Sequence, residues 1–85
     1  MKEFNYTIKD AVGIHARPAG QLVKLAKGLG STITITKSDR TVNATQLMKL
    51  MGMGIKCGDT VTIRVEGGDE EASENAIKEF MEANL

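Results

Sequence analysis

Tryptophan is missing from this chain, and its other aromatic residues are one tyrosine and two phenylalanines. Aromatic side chains that could stack on bases are therefore scarce, which disfavours RNA recognition. Neither sign of charge is in excess, because 11 basic residues balance 11 acidic ones. Domains that bind nucleic acid usually carry a strong basic excess. We therefore expect no nucleic acid among the partners of this protein.

Cysteine and long apolar runs are nearly absent as well. Cys57 is the only cysteine, so no internal disulfide can form, and we interpret this residue as structural. The first residues are charged, and no segment is apolar enough to act as a signal or to cross a membrane. These absences predict a cytoplasmic protein without membrane insertion. No cluster of acidic or thiol groups predicts a metal site.

Periodic apolar residues divide the chain into elements of the order β-α-β-β-α-β-α. Alternation of apolar and polar residues predicts strands, whereas apolar residues at i, i+3, i+4 and i+7 predict helices. The predicted elements are a strand through Phe4, Tyr6 and Ile8, a helix from about Ala16 to Lys27, strands over residues 32–36 and 41–43, a short helix with Leu47, Leu50 and Met51, a strand over residues 60–65, and a last helix with Ala72, Ala76, Ile77, Phe80 and Met81 on one face. With 85 residues and 41% apolar content, one domain over residues 1–85 is expected.

Several positions predict where these helices begin and end. Gly28 and Gly30 are expected to end the first helix in the left-handed conformation that glycine readily adopts. Asp69 is expected to cap the last helix, with acidic residues in its first turn. Gly20 lies inside the first helix, where glycine costs about 1 kcal/mol relative to alanine. Two explanations for this glycine are possible: close packing against another element, or room for a partner beside His15.

The only histidine and the only proline lie together in residues 13–20. Pro18 is typical of the first turn of a helix. His15 is then at the helix N-terminus, beside unpaired backbone N–H groups of Ala16 and Arg17 and the positive end of the helix dipole. Together with the Arg17 guanidinium, this arrangement suits a phosphate or another anion. A neutral imidazole could accept a phosphoryl group there; the alternative is a histidine that only caps the helix.

The string Gly13-Ile14-His15-Ala16-Arg17-Pro18-Ala19 resembles the active-site signature of the HPr family, the histidine-containing phosphocarriers of the bacterial sugar phosphotransferase system. Residues 40–55 form a second matching region, and the resemblance extends over essentially the whole chain. It implies an α+β fold, an open-faced β-sandwich in which three helices cover one face of a four-stranded antiparallel sheet.

The resemblance also implies a chemistry for the site. His15 would accept the phosphoryl group on its delta nitrogen, and Arg17 with the backbone N–H groups of Ala16 and Arg17 would stabilise it. The donor would be phosphorylated enzyme I, charged from phosphoenolpyruvate, and the acceptor an A-type domain of an enzyme II. Such a carrier is a monomer without cofactor or independent turnover, so whether it counts as an enzyme depends on convention.

An alternative of a different class is a regulatory binding protein, as among nitrogen-related paralogues of the family. In such a protein, phosphorylation of His15 would signal to regulatory partners rather than feed sugar uptake. His15 is compatible with both functions.

A docking face around His15 is implied by the first two helices of the family. The expected partner-binding residues are Gly20, Gln21, Lys24, Lys27, Leu47, Met48, Lys49 and Met51. Methionine adapts to several partners, and lysines attract acidic surfaces. We expect Leu47 and Met48 to be exposed. For Met51 and Met53 the sequence does not distinguish a surface position from a core position.

Two positions depart from the family pattern. Gln46 aligns with a serine that a dedicated kinase phosphorylates in many members, so we expect no regulation there. Gln46 could instead complete a capping box with Asn43, and Thr45 could cap the same helix. Val12 replaces a small polar residue and cannot hydrogen-bond to the imidazole or phosphate. Some tuning of His15 could therefore be lost, although transfer need not be.

Overall fold

A computed structural model describes all 85 residues, Met1–Leu85. Its elements, in chain order, are β1 (Lys2–Thr7), α1 (Ala16–Gly28), β2 (Thr32–Lys37), β3 (Arg40–Asn43), α2 (Leu47–Met51), β4 (Thr60–Glu66) and α3 (Glu70–Asn84). This is the predicted order of strands and helices. None of the helices is both long and apolar enough to cross a lipid bilayer.

The four strands form one antiparallel sheet with the order β1-β4-β2-β3. Ile63 of the inner strand β4 pairs with Phe4 of β1 on one side and with Ile35 of β2 on the other. β2 and β3 form the predicted hairpin, in which Thr36 pairs with Thr41. Side chains alternate across each strand, so every second residue faces the helices and the others face water.

One apolar core lies between the sheet and the helices. α1 contributes Leu22 to it and α3 contributes Ile77, and both side chains are fully buried. Removal of this apolar surface from water is the main stabilising contribution to the fold. The other face of the sheet is polar, as the hydrogen bond of 2.8 Å between the Thr36 and Thr41 hydroxyls illustrates. The open-faced α+β sandwich is therefore confirmed.

The end of α1 differs from the prediction. Neither Gly28 nor Gly30 adopts a positive φ. The chain instead leaves the helix through Leu29, which is extended at φ −89° and ψ 146°. Its N–H donates to the Ala26 carbonyl at 3.3 Å. Because the chain continues directly toward β2, no left-handed residue is needed at this end.

The predicted capping box at α2 is also wrong. The Asn43 side-chain oxygen accepts the Thr45 N–H at 2.9 Å and the Thr45 hydroxyl at 2.7 Å. Gln46 occupies the N-cap position, but no side chain bonds to the first turn of α2. The Asn43 side chain folds onto its own turn, a local hydrogen bond that competes with helix capping.

The start of α3 follows the prediction in one respect and departs from it in another. The Asp69 side chain accepts the Ala72 N–H at 3.1 Å, so Asp69 is the N-cap. Ala72, expected on the apolar face, is exposed, and Ser73 is buried instead. The Ser73 hydroxyl can occupy the interior because it is hydrogen-bonded to the Ser31 hydroxyl at 2.8 Å, which avoids the cost of an unpaired buried polar group.

Candidate functional site

The loop that leads into α1 is fixed by Gly13. This residue has a φ of +81°, which only glycine adopts without strain. A Cβ atom at Gly13 would lie 2.5 Å from the Ile55 carbonyl oxygen and 2.7 Å from the Lys56 Cα. The next residue, Ile14, donates its N–H to the same Ile55 carbonyl at 3.1 Å. The backbone before His15 is thus held against the segment that connects α2 to β4.

His15 is the N-cap residue of α1. Its carbonyl accepts the Ala19 N–H at 2.9 Å, and its extended backbone (φ −117°, ψ −174°) turns the chain into the helix. The imidazole makes no capping hydrogen bond and is exposed. The prediction that His15 marks the start of the helix is confirmed, and the alternative of a side-chain cap is not realised.

The first turn of α1 leaves backbone donors beside the imidazole. The N–H groups of Ala16 and Arg17 precede the first possible i−4 acceptor, so the helix itself cannot satisfy them. Pro18 has no N–H to satisfy, and its ring is buried together with Ala19. Pro18 therefore anchors the turn in the core while the two donors before it stay available. The positive end of the helix dipole lies at the same place.

His15 and Arg17 line one shallow depression of about 200 Å³, together with Asp10, Pro18, Gln21 and Asn84. Asp10 and Asn84 were not singled out by the sequence. Asn84 comes from the far end of the chain, and its side-chain amide donates to the Phe80 carbonyl at 3.0 Å. No local sequence pattern could have predicted that Asn84 lies near His15, because only the packing of α3 brings Asn84 close to the first helix.

Arg17 is free of any ion pair. The ion pairs of the structure are those of Lys37 with Asp59, Arg64 with Glu3, Lys78 with Glu74, and the Met1 amino group with Glu70. The Arg17 guanidinium is exposed and retains its full set of donors for an anion. An anion bound in this depression would lie beside His15 and Arg17, at the end of α1 where the first-turn N–H groups are unpaired.

The expected partner-binding residues lie on two packed helices, α1 and α2. On α1, Gln21, Lys24 and Lys27 are exposed and Gly20 is partly exposed. Nothing lies within 4 Å of the place where a Gly20 side chain would begin, so close packing does not explain this glycine.

On α2, the apolar side chains reach the surface to different extents. Met48 is 79% exposed, Leu47 36% and Met51 37%, and Lys49 is also exposed. The expected exposure of Leu47 and Met48 is therefore confirmed. Of the two methionines left open, Met51 is on the surface, whereas Met53 is buried at 6% exposure.

Val12, Gln46 and Cys57, which the sequence also singled out, do not line the depression. Val12 is 66% exposed, and its backbone N–H donates to the Asp10 carboxylate at 2.9 Å. Gln46 is exposed and donates its N–H to the Asn43 carbonyl at 3.0 Å. Cys57 is exposed rather than packed in the interior, and its thiol contacts the Lys9 carbonyl at 3.7 Å.

Comparison with known proteins links this arrangement to one family. The family model described as "PTS HPr component phosphorylation site" matches residues 2–83. Phosphocarrier protein HPr of Mycoplasma capricolum is 41% identical over 81 residues, which cover 95% of this chain and 91% of that protein. The HPr of Mycoplasma genitalium is 41% identical over 85 residues, covering 99% and 97%.

Solved structures agree with the sequence relatives. HPr-C-His from Thermoanaerobacter tengcongensis superposes with a TM-score of 0.92 at 37% identity, covering 98% of this chain and 93% of that one. Crh of Bacillus subtilis, described as a catabolite repression containing protein, has a TM-score of 0.77 at 26% identity, covering 94% and 92%. The family match over nearly the whole chain, the sequence relatives and the shared fold together establish that this chain belongs to the HPr family of phosphocarriers.

Proposed function

We propose that this chain carries phosphoryl groups in a phosphotransferase system for sugar uptake. It takes the group from phosphorylated enzyme I, with phosphoenolpyruvate as the ultimate donor, and passes it to a histidine on an A-type domain of an enzyme II. The observation that supports this function best is the depression at the start of α1. It combines an exposed His15 imidazole without hydrogen-bond commitments and an Arg17 without an ion pair.

The acceptor chemistry needs only a ring nitrogen with a free lone pair. The lone pair on the delta nitrogen of neutral His15 forms the new N–P bond. The bond between phosphorus and the donor breaks, and its electron pair stays with the donor. In the second transfer the His15 N–P bond breaks, its electron pair returns to the imidazole, and a nitrogen of the acceptor histidine bonds to phosphorus. The three outer oxygens travel with phosphorus throughout.

The neighbouring groups stabilise charge on the group in transit. The positive end of the helix dipole at His15 attracts the negative charge of the phosphoryl group. The Arg17 guanidinium and the N–H groups of Ala16 and Arg17 are donors to the phosphoryl oxygens, both in the transition state and in the phosphorylated product.

Partner proteins dock on the face formed by α1 and α2. Met48, Leu47 and Met51 supply a flexible apolar patch that can fit unrelated partners. Lys24 and Lys27 on α1 add positive charge that attracts acidic surfaces and speeds their encounter. The protein acts as a monomer, with one domain over residues 1–85 and without a cofactor.

A regulatory binding protein is the second candidate. The structural likeness to Crh, which is described by its part in catabolite repression, favours it, because the same fold serves a regulatory role in that protein. In this case phosphorylation of His15 changes which partner binds the α1–α2 face, and no phosphoryl group moves onward.

Phosphorylation by enzyme I and phosphoenolpyruvate, read by intact mass, tests the proposal. The wild type should gain one acid-labile phosphoryl group, and His15→Ala should gain none. Addition of an enzyme II A-type domain should then remove the group from the wild type. Phosphorylation without removal would favour the regulatory function. Failure of a folded wild type to accept the group from active enzyme I would refute both.

A further inference from the structure

Asp10 organises the loop before His15 through three hydrogen bonds. Its carboxylate accepts the Val12 N–H at 2.9 Å, and its carbonyl accepts the Gly13 N–H at 3.0 Å. Its own N–H donates to the Leu85 carbonyl at 2.8 Å. A side-chain acceptor two residues before the N–H it binds is an Asx turn, which fixes the local backbone. Asp10 thus connects the loop to the end of the chain.

Asp10 also lines the same depression as His15 and Arg17. Its hydrogen bond to Val12 leaves acceptor capacity on both oxygens. Asp10 and Arg17 do not form an ion pair, and neither residue takes part in any of the four ion pairs of the structure. The negative charge of Asp10 is therefore not neutralised by the one arginine of the depression.

We propose that the charge of Asp10 destabilises the phosphoryl group on His15 and so favours its onward transfer. The inference rests on the proposed function. Phosphorylation brings a dianion into a depression that Asp10 lines, and the like charges of the dianion and the carboxylate repel. Arg17 attracts the dianion and keeps the group bound, whereas Asp10 keeps the phosphorylated state high in free energy. The balance suits a carrier, which must release what it accepts.

The charge and the loop hydrogen bond can be separated by substitution. Asp10→Asn keeps an oxygen that accepts the Val12 N–H but removes the charge. Asp10→Ser is a second neutral variant, because a serine hydroxyl can accept the same N–H. Asp10→Ala removes both the charge and the bond. Asp39→Asn is the matched control, since Asp39 is exposed in the β2–β3 turn and does not line the depression.

The measurement is the equilibrium between phosphorylated and free chain. Trace enzyme I is incubated with the chain and defined ratios of phosphoenolpyruvate to pyruvate, and intact mass gives the phosphorylated fraction. An equilibrium constant does not depend on how tightly the catalyst binds. Any effect of a substitution on the binding of enzyme I to the α1–α2 face therefore leaves the measured phosphorylated fraction unchanged. Asp10→Asn and Asp10→Ser should shift the equilibrium toward the phosphorylated chain by about five-fold, and the shift should shrink at 1 M salt. Asp39→Asn should change it by less than about two-fold.

The outcomes separate the two proposals. If folded Asp10→Asn or Asp10→Ser had the same phosphorylation equilibrium constant as the wild type, the proposed role of the charge would be overturned. A shift confined to Asp10→Ala would also overturn it, because Asp10 would then act only through the loop. A wild type that never accepts the group would be a failure of the proposed function itself. Equal, salt-sensitive shifts in both neutral variants would support the proposal.

Discussion

Replacement of Gly13 by alanine is the most direct test of how the His15 loop is held. The new Cβ would lie 2.5 Å from the Ile55 carbonyl oxygen and 2.7 Å from the Lys56 Cα. Both atoms belong to the backbone, so no flexible side chain can move aside. The positive φ of Gly13 adds a conformational cost for any residue with a Cβ atom.

The magnitude follows from three contributions. Alanine in the left-handed region costs about 1 kcal/mol more than glycine. Overpacking against fixed atoms costs roughly 1–3 kcal/mol, and loss of the Ile14–Ile55 hydrogen bond about 1 kcal/mol. We therefore expect Gly13→Ala to lower the free energy of unfolding by about 3–5 kcal/mol, and each kcal/mol lowers the Tm by roughly 4–8 °C in a domain of this size.

Urea denaturation monitored by circular dichroism measures this effect, with the slope m checked for constancy. Gly28→Ala is the matched control, because Gly28 is helical and its Cβ would meet nothing within 4 Å. It should raise the free energy of unfolding by up to about 1 kcal/mol. A loss of less than about 1 kcal/mol in Gly13→Ala would refute the reasoning, since the loop would then move without cost.

Four further substitutions test other parts of the structure. The hydrogen bond from Lys37 to the Asp59 carboxylate holds the pKa of Asp59 below its ordinary value of 3.8. A depressed pKa in the folded state stabilises the protein above that ordinary value, and the stabilisation is lost as the pH falls through the folded-state pKa. Urea midpoints between pH 6 and pH 2 should therefore fall less in Lys37→Met than in the wild type. Met53→Ala should lower the free energy of unfolding by about 2–5 kcal/mol because the side chain is buried, whereas Met51→Ala should change it by less than about 1 kcal/mol and weaken enzyme I binding in calorimetry. Arg17→Gln should slow phosphorylation by enzyme I by at least about ten-fold, through loss of a charged donor to the phosphoryl oxygens.

Each of these expectations has a contradicting result. Parallel pH profiles of Lys37→Met and the wild type would show that the ion pair does not set the acid stability. Equal destabilisation by the two methionine substitutions would contradict the difference in their burial. An unchanged rate in folded Arg17→Gln would remove the guanidinium from the mechanism.

Sequence periodicity was sufficient for the elements because each one buries a single face. Alternation of Val61 and Ile63 with polar residues predicts β4, and Pro18 predicts the start of α1. Both signals lie within a few consecutive residues of the sequence. Each element needs such a signal because it must turn one apolar face toward the core. The same reasoning placed His15 at a helix N-terminus.

Features that depend on distant neighbours could not be predicted in this way. Ser73 is buried because Ser31, 42 residues away, supplies its hydrogen bond. Asn84 joins the depression at His15 only through the packing of α3 against the rest of the fold. The burial of Met53 and the exposure of Met51 depend on how the chain leaves α2, and spacing alone does not determine it.

The order of strands in the sheet also constrains when the protein can fold during its synthesis. β4 lies between β1 and β2, yet it is the last strand to be made. Asn5 and Thr62, whose side chains are hydrogen-bonded across β1 and β4, are 57 residues apart. Until β4 has left the ribosome, only the β2–β3 hairpin can pair and β1 has no partner. The sheet is therefore completed late in translation, and the His15 loop, which follows β1, takes its final position only then.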